Sequence, residues 1–350
     1  MTWNFGGCEG GPYRDGVPPP NPLLSLDGMP ALRDRIERRL LAATETPDAD
    51  LTEMTSHLVR AGGKRLRPLL AALASTVGRP GDAATLDGVT DDAVTGGVAV
   101  EMVHVGSLHH DDVLDEATTR HNVESVNARW GNLRAIISGD FLLARASELA
   151  ASLGTDVAQL LAATIGRLCV GEVQELQVAF QVDRSEPAYL AAIEGKTAAL
   201  YETACRIGAM VSGAPAAQVE ALGRYGLNYG MAFQVVDDIL DVVATDDELG
   251  KPAGHDMVEG VYNLPVLRAF TGPDGDQLRE LLGGPIEDVA RVKVLELVRT
   301  GDGVAQAIAV AEEFARAAAT ALDDVPAGPG VDALAAAAHH LVLGLDASPR

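Results

Sequence analysis

Aspartate recurs in this chain in two short clusters with the same internal spacing. The first is Asp111, Asp112 and Asp115 in HHDDVLD; the second is Asp237, Asp238 and Asp241 in QVVDDILD. On a helix, residues four apart lie one turn apart on one face. Asp111 with Asp115, and Asp237 with Asp241, would then each aim two carboxylates at one patch. Like charges that close destabilise a helix unless a cation compensates them. A few hard oxygen ligands, short of a full cage, suit Mg²⁺ that substrate phosphates also hold. The flanks in VVDDILDVV are apolar on both sides, which argues against a merely solvated acidic face. The chemistry implied is a diphosphate gripped between two helices.

Basic residues that could meet such an anion are few and grouped. RAGGKRLRPLL carries Arg60, Lys64, Arg65 and Arg67. Gly62 and Gly63 relax the backbone ahead of them, and Pro68 suits the start of the next helix. Lys64 and Arg67 are three apart, so they are expected on one face as a direct clamp for a second diphosphate. Lys196 follows Gly195 in the otherwise apolar EGKTAALYETA, where a lone lysine is costly unless paired. Lys251 follows the second Asp cluster in DDELGKPAGHD. Either lysine could neutralise charge on a leaving diphosphate, and such stabilisation is often the largest catalytic term. His104, His109 and His110 lack a cysteine or a matched fourth ligand, so a zinc site is not expected.

The elements that must position these groups read as helices. ALRDRIERRLLAA, AVTGGVAVEMVHVGSLHH, RAIISGDFLLARASELAAS and DVAQLLAATIGRLCVGEVQELQVAF all repeat apolar residues at three- and four-residue steps. Alternating β-branched runs are scarce, and turn signals at GRPGD, SGAP, TGPDGD and PAGPG punctuate the chain. The expectation is an all-α fold. Residues 28–350 would form one domain behind a disordered Gly/Pro-rich leader at 1–27, which has neither the basic start nor the apolar core of a signal peptide. A net charge of −23 over 350 residues excludes a general nucleic-acid binder. Three unclustered cysteines fit reduced thiols in a cytoplasmic protein, and no apolar run is long enough for a membrane span.

Taken together, GGKRLRP (62–68), HDDVLDEATTR (110–120), GD (139–140), GKTAAL (195–200), FQVVDDILD (233–241) and GKPAGHD (250–256) resemble the trans-isoprenyl diphosphate synthases, the polyprenyl synthetase family. SVNARWGN (125–132) and EGVYNLPVL (259–267) look most like long-chain polyprenyl diphosphate synthases of actinobacteria. The resemblance implies a helical bundle around a central cavity, usually homodimeric, and Mg²⁺-dependent condensation of isopentenyl diphosphate with an allylic diphosphate. It implies three Mg²⁺ per site, two on Asp111 and Asp115 with Asp112 in support, and one on Asp237 with Asp238 and Asp241 nearby. Arg120, Lys196 and Lys251 would contact the allylic diphosphate, with Thr197 and Gln234 close by. Lys64, Arg67 and His104 would hold isopentenyl diphosphate. Peripheral membrane contact would serve release of an apolar product.

Product length should depend on the residues one and two turns before Asp111. Gly106 and Ser107, with Val103 and Val100 deeper, include no aromatic side chain to block a growing tail. By family analogy this favours a long-chain product, with a geranylgeranyl-length synthase and a class I terpene cyclase as alternatives. There are departures from the family pattern. The usual Arg-Arg after the first motif is Arg120-His121, a lysine expected later is Val261, and Glu172 stands where glutamine is commoner. His121 then replaces a permanent charge with a titratable one, and C5 binding should weaken above its pKa.

Overall fold

The computed structural model describes residues 21–79, 81, 85–245, 252–343 and 345. Sixteen α-helices carry these residues in chain order. They are α1 (Met29–Thr44), α2 (Ala49–Arg60), α3 (Leu66–Ala74), α4 (Asp91–Leu114), α5 (Val126–Trp130), α6 (Asn132–Ser152), α7 (Thr155–Gln177) and α8 (Glu186–Ile193), then α9 (Ala199–Val211), α10 (Ala216–Val243), α11 (His255–Val258), α12 (Leu264–Ala269), α13 (Gly275–Leu281), α14 (Asp288–Thr300), α15 (Gly303–Ala321) and α16 (Pro329–Val342). One turn of π-helix, Glu194–Ala198, joins α8 to α9. The sole sheet among the described residues is a hairpin of β1 (Thr119–Arg120) and β2 (Val123–Glu124). The all-α expectation holds.

The two helices that carry the Asp clusters are each buried over more than half their length. In α4 every residue from Ala93 to Val103 is buried, including Glu101, which Arg65 answers at 3.3 Å. Thr90 caps this helix by accepting from the Ala93 N–H, and Asp91 and Asp92 complement its N-terminal dipole. One body of apolar side chains gathers α3, α4 and α9; a second surrounds the C-terminal half of α10 with α12, α14 and α15. Gly208 of α9 lies so close to the Ala71 carbonyl of α3 that no Cβ would fit between them. Enlarging it would cost about 1–3 kcal/mol of overpacking.

Two expectations change. The leader expected over 1–27 falls mainly on residues outside those described, but its last seven belong to the fold. Pro22–Ser25 form a 3₁₀ turn capped by Asn21, and Leu23 is fully buried. Gly106, expected to border a tail path, instead faces α6. A Cβ there would lie 3.1 Å from the Gly139 carbonyl and 3.3 Å from Leu142 Cβ. It serves a close helix crossing, because apolar spacing alone does not say which neighbour a face meets. Ser107 remains half-buried, its hydroxyl donating to the His104 carbonyl at 2.9 Å. No helix among the described residues is long and apolar enough to cross a membrane.

Candidate active site

Asp111 and Asp112 occupy the last turn of α4, and Asp115 is its C-cap, its N–H bonded to the Asp111 carbonyl at 2.8 Å. The three carboxyls do different things. Burial, with added repulsion from Glu172 and Asp115, pushes the Asp111 carboxyl up to about 7 although Lys196 and Arg120 pull it down. Asp115 is raised for the same main reason, with Glu259 and Glu172 adding and Lys196 and Arg120 opposing. Asp112 is fully buried; its Oδ1 accepts from Arg120 Nε at 2.7 Å, and its Oδ2 has no hydrogen-bond partner. The Asp112 backbone carbonyl also accepts from Asn127 Nδ2 at 2.9 Å.

Arg120 reaches Asp112 because the chain reverses at once through β1 and β2. His121 and Asn122 form the two-residue loop at φ of 52° and 62°. That is the type I′ geometry, which asks for positive φ at both positions. Histidine and asparagine are among the side chains that accept it best. Burial first, then Arg120 and Arg65, holds His121 down at about 4. His121 is therefore neutral at ordinary pH, which corrects the expectation that it changes charge in the working range. His104 is half-buried, and its pKa is also lowered, by desolvation and then by Arg67.

The second cluster sits near the end of α10. Asp238 is buried and turned into a hydrogen-bond chain. Thr197 Oγ1 donates to Gln234 Oε1 at 2.8 Å, Gln234 Nε2 donates to Asp238 Oδ1 at 2.8 Å, and the Tyr189 hydroxyl donates to Asp238 Oδ2 at 2.5 Å. Burial pushes the Asp238 carboxyl up, Asp256 adding to the effect. Asp237 lies within electrostatic reach of Lys64, whose pKa burial lowers and Asp237 restores in part. Asp241 is buried, and its carbonyl accepts from the Gly254 N–H at 2.8 Å. Lys251 lies outside the described residues.

The basic turn before α3 divides its labour. Arg65, in left-handed backbone at φ 52°, faces inward to Glu37 and Glu101. Lys64 precedes the helix, so it does not share one helical face with Arg67 as the spacing suggested. The Arg67 guanidinium lies 4.5 Å from the Tyr201 ring centroid, and its buried Nε has no hydrogen-bond partner. The charge of Arg67 also acts on His104, another residue expected at the C5 diphosphate.

Between the clusters lies the π turn. Lys196 Nζ is held by Glu172 Oε2 at 2.9 Å and Glu175 Oε2 at 2.5 Å. Gly171 lets α7 touch this turn backbone to backbone, since a Cβ there would lie 2.6 Å from the Lys196 nitrogen. π turns inside helices are frequent at functional sites. This one reaches both ways: Lys196 acts on Asp111 and Asp115, and its neighbour Thr197 starts the chain to Asp238. Sequence reading missed Glu175, Tyr189 and Asn127. Glu175 could have been found, because Glu172 and Glu175 are three apart on one helix, the same logic that singled out the aspartates.

The residues present fit Mg²⁺. Asp111, Asp115 and Asp237 are hard oxygen donors, the crowded carboxyls at the first cluster are pushed up by burial, and Asp112 keeps one buried oxygen unpartnered. Among the described residues no three His, Cys, Asp or Glu side chains are grouped to hold a metal ion by themselves, so diphosphate oxygens would have to complete the coordination. The histidines expected not to hold zinc point to separate partners, His109 Nδ1 to Ser138 Oγ at 2.8 Å and His110 Nε2 to the Ile136 carbonyl at 3.1 Å.

The model of the family described as polyprenyl synthetase matches residues 48–298. The chain belongs to the polyprenyl synthetase family. Within that family it is similar to nonaprenyl diphosphate synthase of Mycobacterium tuberculosis, at 40% identity over 88% of this chain and 91% of the relative. It is 36% identical to heptaprenyl diphosphate synthase component 2 of Geobacillus stearothermophilus, over 86% and 90% of the two chains. Among solved structures, a polyprenyl synthase from Caulobacter crescentus, complexed with calcium and isoprenyl diphosphate, superposes with a TM-score of 0.84. That pair is 31% identical over 93% of this chain and 98% of the other.

Proposed function

We propose that this prenyltransferase condenses isopentenyl diphosphate with an allylic diphosphate, depends on Mg²⁺, and releases a long-chain polyprenyl diphosphate. The observation that carries the reading is the π turn, whose Lys196 serves the first Asp cluster while Thr197 is wired to the second. One diphosphate placed between α4 and α10 would meet carboxylates on both sides and a lysine between them. Mg²⁺ held by Asp111, Asp115 and Asp237 would stabilise charge on the leaving diphosphate and template its position. The solved Caulobacter crescentus relative, with its calcium and isoprenyl diphosphate, supports a divalent cation and a diphosphate on this fold.

The protein's own groups divide into two sets. Arg120, Lys196 and Lys251 neutralise the allylic diphosphate, while Asp112 and Asp238 act from behind as holders of Arg120 and Gln234. Lys64 and Arg67 supply fixed charge for isopentenyl diphosphate, and His104 and His121 supply neutral ring nitrogens. Ionisation of the allylic substrate gives an allylic cation, and the C5 double bond attacks it. A proton then leaves the new chain to the released pyrophosphate. No nucleophilic side chain is required.

Homodimerisation is part of the proposal, supported by apolar side chains that α6 and α7 leave in solvent. Leu133 and Ile137 are 72% and 50% exposed, and Val170 and Val173 are 57% and 50% exposed. The Geobacillus stearothermophilus relative is named as a component, which makes a different partner subunit the second reading. One set of incubations separates the outcomes: purified protein, Mg²⁺ and an allylic diphosphate, with and without isopentenyl diphosphate. Elongated diphosphates are expected only with both substrates. A hydrocarbon formed without the C5 donor would mean a cyclase, and inactivity of a well-folded protein would favour the two-component reading.

A further inference from the structure

Arg184 lies in the loop between α7 and α8 and is only 7% exposed. Its Nη1 donates to the Tyr262 carbonyl at 3.3 Å, and its guanidinium carbon is 5.4 Å from the Tyr189 ring centroid. Nε and Nη2 are buried without a hydrogen-bond partner. A guanidinium cannot shed its charge, so unpaired buried donors of this kind are costly unless some state of the protein satisfies them. The acidic side chains that act on it are Glu175 and Asp238. Both oxygens of Asp238 are already engaged, by Gln234 and Tyr189. Glu175 is engaged only through Oε2, on Lys196.

Lys196 poses the complementary problem. Two carboxylates hold it, and a diphosphate can recruit it fully only if at least one lets go. A carboxylate left behind in a half-buried pocket needs a new cation. The charge of Glu172 acts on Asp111 and Asp115, whereas the charge of Glu175 acts on Arg184, whose Nε and Nη2 are the unpartnered donors. Resting on the functional reading above, we infer that Arg184 is a positioning residue that takes over Glu175 when Lys196 turns to the allylic diphosphate. The two arrangements leave Glu175 paired with a cation in each, which lowers the cost of detaching the lysine.

The test is a double-mutant cycle read by calorimetric binding of a non-ionising thiolo analogue of an allylic diphosphate in the presence of Mg²⁺. Arg184→Met keeps volume and removes the receiving cation; it should weaken binding about tenfold, the size of a typical coupling between neighbouring groups. Glu175→Gln in that background removes the carboxylate that would cling to Lys196 and should restore binding to within about twofold of Glu175→Gln alone. Arg184→Lys should fall between wild type and Arg184→Met, and the same cycle run on it serves if Arg184→Met fails to fold. Wild-type affinity in Arg184→Met would overturn the inference. So would a double variant no better than Arg184→Met, since that is what a role confined to bracing Tyr262 predicts. A wild-type protein that does not bind the analogue would overturn the functional reading itself, and this inference with it.

Discussion

The two Asp clusters share a spacing but not a setting. At the end of α4 the neighbours are charged: Arg120, Lys196, Glu172 and Glu259 all act on the carboxyls there. Near the end of α10 the middle carboxyl is held by neutral groups, Tyr189 and Gln234, in a chain that continues to Thr197. The first cluster is poised by opposing charges that a ligand can rearrange. The second is fixed by hydrogen bonds that a ligand would leave in place. Identical motifs can thus supply a responsive wall and a rigid wall to one site, which is useful when a charged group must leave and a new one must enter.

The comparison can be broken most severely at the responsive wall. Asp111→Asn removes a charge that other groups are arranged around, and kcat/KM for elongation should fall on the order of 10²–10³-fold at saturating Mg²⁺. A fall below tenfold would show that the α4 carboxylates are not the principal grip. At the rigid wall the expected loss is in stability. Tyr189→Phe leaves one Asp238 oxygen buried and unpaired, which should cost about 1–3 kcal/mol in urea unfolding. An unchanged midpoint would mean that the chain from Thr197 to Tyr189 does not stiffen α10.

A gentler probe concerns the approach to the first cluster. Ser107→Phe places an aromatic ring one turn before Asp111, and the product distribution should shift to shorter chains in radiolabelled or mass-spectrometric assays. The smallest effect is expected at the hairpin. The folded pKa of His121, about 4, lies below the ordinary value of about 6.5. Its contribution to stability is then complete above the unfolded value and is lost as pH falls toward the folded one, and half-buried His104 acts in the same sense. Unfolding midpoints should drop between roughly pH 6.5 and 4, and less steeply in His121→Gln. Because His121 is already neutral, His121→Arg should lower KM for isopentenyl diphosphate equally at pH 6.5 and 8.5; a change at only one pH would contradict this.

Much of the fold was legible because helices announce themselves by local period. The carboxylates were legible as well, since residues four apart on a helix share a face whatever surrounds it. Gly106 was misread for the complementary reason, because its partner is Gly139 of α6 and no local pattern names that neighbour. His121 was read as a titrating contact, yet the burial and the two cations that keep it neutral come from outside its own segment. Glu175 was within reach of the same spacing argument, but its meaning depends on Lys196 and Arg184, which the chain delivers from the π turn and from the loop before α8.

The sequence by itself determined the helical class, the paired carboxylates and the scarcity of cations near them, because each follows from residue type and short-range spacing. Only the tertiary structure decided which carboxylates of each trio turn inward, that one π turn serves both clusters, and that a buried arginine stands with donors unpaired while two carboxylates share one lysine. Those outcomes depend on burial and on partners distant in sequence. Desolvation and electrostatic neighbours are properties of the packed chain, and no local pattern encodes them.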